Sequence, residues 1–570
     1  MRSHYANLYA RPYVPILSSE DDHRARRITA YLDLMNGIVR DQVARIRSSA
    51  FEQGSEIVKY FEMLADRSPL KQLYRSFLAA VDPDDRAALE ARLRSEVVAG
   101  NIEVNIMTKV DRVPRPAGGA EPPPDSSDAV AAFRGYIRSE LDSSVVLSAG
   151  VNPRLFSYME RCPELLPAAD GSVAKSVTLK VSDYRSASIQ GRMLAKKAIW
   201  VSEFRVESGL NCGGHAFATD GILLGPILQE FKEKREQLIK ELHEVYCDAL
   251  RRKGFTPPED SRPVRLTVQG GIGTTEEDAF LREYFEFDGT GWGSPFLLVP
   301  EATNLDEATR DQLAGAGTED YYISDASPLG VSFNNLRGTS SEEQIQQRAE
   351  AGRPGSPCTK KFLMSNTEFT DDAICTASRQ YQSLKVAQLE GTEIPVDDRE
   401  RQIRKVMEKA CLCEDLACAT IVGDGPALPE GKKLAAVAIC PGPNLAYFSK
   451  IVSLEEMVSH IYGRLQLITT PDRPHMFVNE LRLYVDHLKK EIERRIGSFS
   501  AKDLKFLTGF QANLRDGIAY YHALAPRLDR VSEEFRESFR AQLNELEAEL
   551  MALVIPMPAG VTVSIADGIC

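Results

Sequence analysis

The chain has 570 residues, 43% of them hydrophobic, more than one ordinary core takes up, which implies a large domain with one or two additions. A formal net charge of -13 without a lysine/arginine block argues against a nucleic-acid surface and points to a small-molecule substrate. With no apolar run of the ~18–20 residues that span a bilayer and no leader pattern, a cytoplasmic protein without a membrane partner is expected, and ten cysteines are too dilute for a disulfide framework.

Residues 1–100 read as an N-terminal helical segment. Ile28, Leu32, Leu34, Met35 and Ile38 recur at helical spacing, as do Ile57, Tyr60, Phe61 and Leu64, and Pro83-Asp84-Asp85 opens a further helix. The pattern then changes. Residues 102–108 read as a strand, 115–127 as a Pro/Gly/Ser-rich loop, and 129–141 as a helix. A second strand at 144–147 ends in Ser148-Ala149-Gly150 and precedes a helix at 153–159. The third strand, 176–181, is followed by a helix at 186–197. The fourth, 198–206, runs into Glu207-Ser208-Gly209-Leu210-Asn211-Cys212-Gly213-Gly214-His215-Ala216-Phe217, with a long helix at 223–251 behind it. The fifth, 263–268, ends in Gln269-Gly270-Gly271-Ile272-Gly273, and Thr274 caps the next helix. The sixth, 284–287, enters Asp288-Gly289-Thr290-Gly291-Trp292-Gly293-Ser294.

Six alternations of strand and helix predict parallel βαβ units, which fit an open doubly wound sheet or a barrel. Functional-looking residues at the carboxyl ends of four strands favour a TIM-type (β/α) barrel over 101–335. Two more strands are then needed, from residues 13–17, from later sequence, or from a barrel-completing partner chain. Gly213 and Gly214 let the backbone turn under a flat ligand with His215 held above it, and an imidazole suits proton abstraction. The Gly271 and Gly293-Ser294 loops offer backbone amides to a phosphate. Lys180, at a strand end, is placed to stabilise negative charge, while Ser148 and Asn105 are candidate hydrogen-bonding groups. Each has a plainer alternative: a capped turn histidine, tight turns, a surface ion pair, ordinary strand-end polar residues.

Residues 336–450 form a cysteine-rich insertion or extension with Cys358, Cys375, Cys411, Cys413, Cys418 and Cys440. Cys358, Cys375, Cys413 and Cys440 are the candidate ligands of an iron–sulfur cluster, although no CxxC pair occurs and buried structural thiols are the alternative. Residues 451–570 return to helical periodicity, notably 476–495 and 533–550, as a helical C-terminal domain.

The ordered series Ser148-Ala149-Gly150, Lys180, Gly213-Gly214-His215, Gly270-Gly271-Ile272-Gly273 and Gly293-Ser294 resembles the FMN-dependent nitronate monooxygenase (2-nitropropane dioxygenase) family and its flavin enoyl-reductase relatives. The match covers roughly residues 102–303. The resemblance implies a TIM barrel holding FMN, its phosphate between the Gly271 and Gly293 loops. The cofactor would then be bound by Ser148, Ala149, Gly150, Lys180, Gly213, Gly214, Gln269, Gly270, Gly271, Gly273, Gly293 and Ser294. His215 matches the family's catalytic base beside the flavin. The sequence departs from the family in its N-terminal region, in Trp292 within the phosphate loop, and in the cysteine-bearing extension.

The expectation is therefore an FMN-dependent oxidoreductase of nitronate monooxygenase type, in which His215 removes a proton from an activated carbon. One alternative is an enoyl-type reductase fed by the cluster and an electron-donor protein. The other is a non-catalytic barrel scaffold that binds a partner protein.

Overall fold

Six short strands lie side by side in the order in which the chain makes them. The computed structural model describes residues 1–107, 111–114, 122–148, 150–168, 171–359, 361–423, 436–468, 470, 473–495 and 499–556. Strands β1 (Val104–Ile106), β2 (Ser144–Leu147), β3 (Ser176–Val181), β4 (Val201–Glu207), β5 (Arg265–Gln269) and β6 (Gly289–Gly291) form one all-parallel sheet in sequential order. Parallel neighbours need crossovers, and the helices Asp128–Ile137, Pro153–Met159, Tyr184–Ala195, Leu224–Arg252 and Thr275–Glu283 supply them. The fold is thus mixed α/β. No pairing between β1 and β6 occurs among the described residues, so closure into a barrel is not seen.

The alternation along each strand explains the sheet's two faces. Val145 and Leu147, Val177, Leu179 and Val181, Phe204 and Val206, and Leu266 and Val268 enter the main apolar core. Apart from Val146, their neighbours one residue away form a polar row on the opposite face. There Ser144 Oγ meets Thr178 Oγ1 at 2.7 Å, and Thr267 donates to Glu203 at 2.6 Å. Arg205 pairs with Glu203 at 2.8 Å and Glu103 at 3.1 Å.

Two sequence expectations need correction. The sixth strand begins at Gly289, not at 284: Tyr284 caps the preceding helix and stacks on Phe280 with centroids 4.9 Å apart. Phe285 and Phe287 fill the core around Glu286, whose φ of 61° is incompatible with an extended strand. Residues 13–17 form no strand; the further strands, β7 (Tyr321–Ser324) and β8 (Phe333–Leu336), pair antiparallel with each other as a separate sheet. Within the loop expected over 115–127, residues 115–121 lie outside the described residues, as does position 108 of the first expected strand.

The C-terminal helices Met476–Arg495, Ala501–Leu524 and Glu533–Ala552 contribute Phe477, Leu481, Tyr521 and Leu546 to the core that covers the sheet. Phe477 stacks on Tyr521 at 5.0 Å. The N-terminal helix His23–Ser48 packs on Asp128–Ile137, where Thr29 donates to the Gly135 carbonyl at 2.9 Å.

A buried ion pair joins these parts. Arg473 and Glu277, with side chains 5% and 3% exposed, meet at 2.8 Å. Arg473 also donates to the Gly271 carbonyl (2.9 Å) and to Asn444 (3.0 Å), while Glu277 accepts from the amides of Gly273 (2.8 Å) and Met476 (2.7 Å). Burial alone would raise the Glu277 carboxyl, but the Arg473 charge and these hydrogen bonds hold it below its ordinary value. Replacing Arg473 by Met should therefore destabilise the chain by ~3–5 kcal/mol at neutral pH, read by urea unfolding, because a buried carboxylate is left unpaired. Adding Glu277→Gln should restore part of the loss. Since the carboxyl titrates lower folded than unfolded, the pair's contribution is complete above about pH 4.3, the ordinary glutamate value, and fades as the pH falls.

Candidate functional site

The loop after β4 is closed at its base and held from two sides. The Phe217 amide donates to the Gly209 carbonyl at 2.7 Å, bringing the ends of the excursion together. The β7–β8 hairpin grips one flank: Ala216 N–H donates to Ser332 O (2.8 Å), Asn334 N–H to Gly214 O (2.8 Å), and Asn334 Nδ2 to Cys212 O (2.6 Å). From the other flank the Cys440 carbonyl accepts the Gly214 amide at 3.0 Å. A Cβ at Gly213 would stand 2.6 Å from that carbonyl, so only glycine permits this approach.

His215 is consequently fixed. Its Nε2 lies 3.0 Å from Ser327 Oγ, and its ring sits edge-on to Phe333 at 5.2 Å. It stands in the wall of a cavity of about 680 Å³, together with Gly214, Asn105, Ser327, Phe333, Cys413 and Cys440. The remaining wall is mostly apolar, from the end of β1 and from Ile28, Leu32, Phe362 and Leu412. An apolar cavity with few convergent polar groups at the carboxyl ends of parallel strands is the usual form of a small-molecule site.

The other expected residues lie elsewhere. Lys180 is paired with Glu207 at 3.1 Å on the polar face of the sheet, and Glu207 also accepts from Gln269. Ser148 extends the sheet, its amide donating to Ile106 O at 3.4 Å; Gly150 turns with φ at 121°, and Ala149 lies outside the described residues.

The glycine loops that the resemblance assigns to an FMN phosphate are filled by the protein itself. Glu277 accepts from Gly273 and from Thr274 (3.2 Å), and the Asn211 amide presses on Gly271 where a Cβ would stand. Ser294 Oγ accepts the Gly442 amide at 2.8 Å, and Asn444 Nδ2 donates to Ile272 O at 3.0 Å. Residues 440–444 thus thread past the ends of β4, β5 and β6. Gly270, Gly271, Gly273 and Ser294 in this arrangement do not fit a phosphate: the amides of Gly273 and Thr274 are already used, and the space before Gly270, Gly271 and Ser294 is taken; the Cβ position of Gly293 alone is open.

The four expected metal ligands do not gather as one set. Cys375 is close enough to Cys358 and Cys413 to interact with both, whereas Cys440 stands apart beside Gly214. Burial pushes the thiols of Cys375 and Cys440 up to about 11, and that of Cys413 upward as well, which favours the protonated form over the thiolate a metal needs. Among the described residues, no group of three or more His, Cys, Asp or Glu side chains is arranged to hold a metal ion.

Sequence reading missed the hairpin contribution, Ser327 and Phe333, because the β8 sequence Phe333-Asn334-Asn335-Leu336 lacks the β-branched residues that mark a strand. It also missed Glu480, which supports the loop from below. Its carboxyl accepts from Ser208 Oγ (2.6 Å), the Leu224 amide (2.9 Å) and Tyr521 OH (3.4 Å), and burial raises it to about 7.

Comparison with protein-family models and with curated protein sequences finds no match. Fold and site together define a parallel-sheet α/β protein with an apolar cavity at its strand ends.

Glu480 predicts a pH dependence. A carboxyl whose pKa is higher folded than unfolded stabilises the fold fully below its ordinary value of 4.5, and this contribution is lost as the pH rises to about 7. The loss should approach ~3 kcal/mol, from about 1.4 kcal/mol per unit. Glu480→Gln, neutral throughout, should flatten that part of the stability profile measured by urea unfolding.

Proposed function

We propose that the protein is an oxidoreductase acting on a small, largely apolar molecule in the cavity beside His215, with His215 taking a proton from an activated carbon. The open sheet is read as the six-stranded part of a TIM-type barrel; sequential parallel order, helical crossovers and the polar inner row support this. The observation that carries the functional reading is the placement of His215: an imidazole in an apolar wall at the strand ends, oriented by Ser327 and Phe333.

Each residue has a definable task. Ser327 Oγ, which can donate or accept, holds the ring through Nε2 whether the imidazole is neutral or charged. Phe333 packs edge-on against the ring, and most of the surrounding wall is apolar. The resemblance supplies FMN as the redox partner. A flat ring suits a cavity of about 680 Å³ in size and lining, and a bound flavin would supply the oxidant for the electron pair left on the carbon when His215 takes the proton. Its phosphate finds no place at the glycine loops.

The test is anaerobic reduction of FMN by a series of nitroalkanes in the presence of the full chain, followed by loss of flavin absorbance. His215→Gln should slow reduction by ~100-fold or more while leaving flavin binding unchanged, as loss of a general base does. If the wild-type chain supports no reduction with any of them, the nitronate reading is wrong. Equal rates in wild type and His215→Gln would remove His215 from the chemistry.

A further inference from the structure

A second cavity, of about 690 Å³, adjoins the one beside His215 and shares Arg24, Ile28, Asp128 and Phe362 with it. Its charge runs against that of the chain. Its walls hold Arg24, Arg27, Arg112 and Arg134 against two carboxylates, Asp22 and Asp128, in a protein of net charge -13. Arg134 takes Asp22 in a two-pronged contact at 2.9 and 2.6 Å. Asp128 is shared, by Arg24 at 2.9 Å and Arg112 at 3.3 Å, and Arg27 donates to the carbonyl of Ile16 and lies near the Glu20 carboxylate. Among the groups that line the cavity, four guanidiniums thus face two carboxylates.

Two buried donor atoms in this cavity lack acceptors, and a third has only an ion-pair contact. Among the described residues, Arg24 Nε and Ser126 Oγ have no hydrogen-bond partner, Arg112 Nε faces Asp128 Oδ2 at 3.3 Å without hydrogen-bond geometry, and Asp128 Oδ1 is likewise unpartnered by a hydrogen bond. Leaving such groups unmade is costly, and guanidinium forks and a hydroxyl are the groups that recognise a tetrahedral anion. The end of the helix Asp128–Ile137 does not compete for that anion: its first amides already donate to Arg112 O and Asp111 Oδ1, each at 2.9 Å. Phe362 stands between the two cavities, with the Arg24 and Arg112 guanidiniums 5.7 and 5.6 Å from its ring centre. An apolar body on one side of this ring and an anionic end on the other would suit both cavities.

We propose that Arg24, Arg112 and Ser126 form a subsite for the phosphate of a phosphate monoester whose apolar body lies in the cavity beside His215. The inference rests on the functional reading for that body, and it relocates the phosphate that the filled glycine loops cannot take.

The test uses the full chain and paired probes with and without phosphate: FMN against riboflavin, and phenyl phosphate against phenol, with affinities from calorimetry. The wild type should prefer the phosphorylated member of each pair by about tenfold, a preference that weakens with added salt. Arg112→Gln should abolish the preference and leave riboflavin and phenol affinities unchanged. Ser126→Ala, a milder change, should reduce it by about threefold, the loss of one hydrogen bond. Gly293→Ala, where a Cβ meets nothing within 4 Å, should leave it intact. Failure of both flavins to bind, with phenyl phosphate still preferred through Arg112, would sink the flavin reading and uphold the subsite. Equal affinities within both pairs, or a preference that survives Arg112→Gln and disappears in Gly293→Ala, would overturn the subsite.

Discussion

The contact on which most of the structure depends is the buried pair of Arg473 and Glu277. Neither charge would be tolerated alone in that position, and each is made acceptable by what else it holds. Glu277 gathers amides from the turn after β5 and from the start of the helix Met476–Arg495; Arg473 gathers a carbonyl from the same turn and the side chain of Asn444. Three stretches far apart in sequence are thereby fixed to one point. Apolar packing brings them near, since Phe477 and Tyr521 would be buried in any similar arrangement, but it is non-directional. The ion pair sets the register in which the C-terminal helices meet the sheet.

Asn444 carries that constraint to the candidate site. The residues just before it lie against Gly213, Gly214 and Ser294, so the position of the His215 loop is tied to Arg473 through a short run of backbone. Gly213 owes its identity to this, since it admits the backbone of Cys440 and Gly442; Gly270, Gly271 and Gly273 instead admit the side chains of Cys212, Asn211 and Arg473. The same sequence pattern serves either purpose, because both a phosphate oxygen and a carbonyl oxygen need an approach unobstructed by Cβ.

Much of the architecture was legible in the sequence. The strands at 144–147 and 176–181 and the helix at 476–495 are found with those bounds, since their apolar periodicity is decided locally. The aromatic run at 284–287 was misread because Tyr284, Phe285 and Phe287 are as suitable for filling a core at a helix end as for a strand. His215 was legible through its two glycines. Its neighbours Ser327 and Phe333 were not, and neither were Arg24, Arg112 and Ser126, because each is brought in by tertiary contact from a segment without a local signature. A half-buried arginine in a cavity wall resembles a surface arginine in sequence.

The sequential order of the six strands has a consequence for how the molecule is made. Each strand pairs with the one just completed, so the sheet can extend from its first edge as the chain emerges, with short-range closure at every step. The strand-end loops cannot adopt their final shapes in that period. The hairpin at 321–336, the segment at 440–444 and Arg473 arrive later, and until they do the polar groups they satisfy remain open to solvent. Pairing within the sheet is thus between neighbours in the chain, whereas the His215 loop is held by residues more than a hundred positions further on.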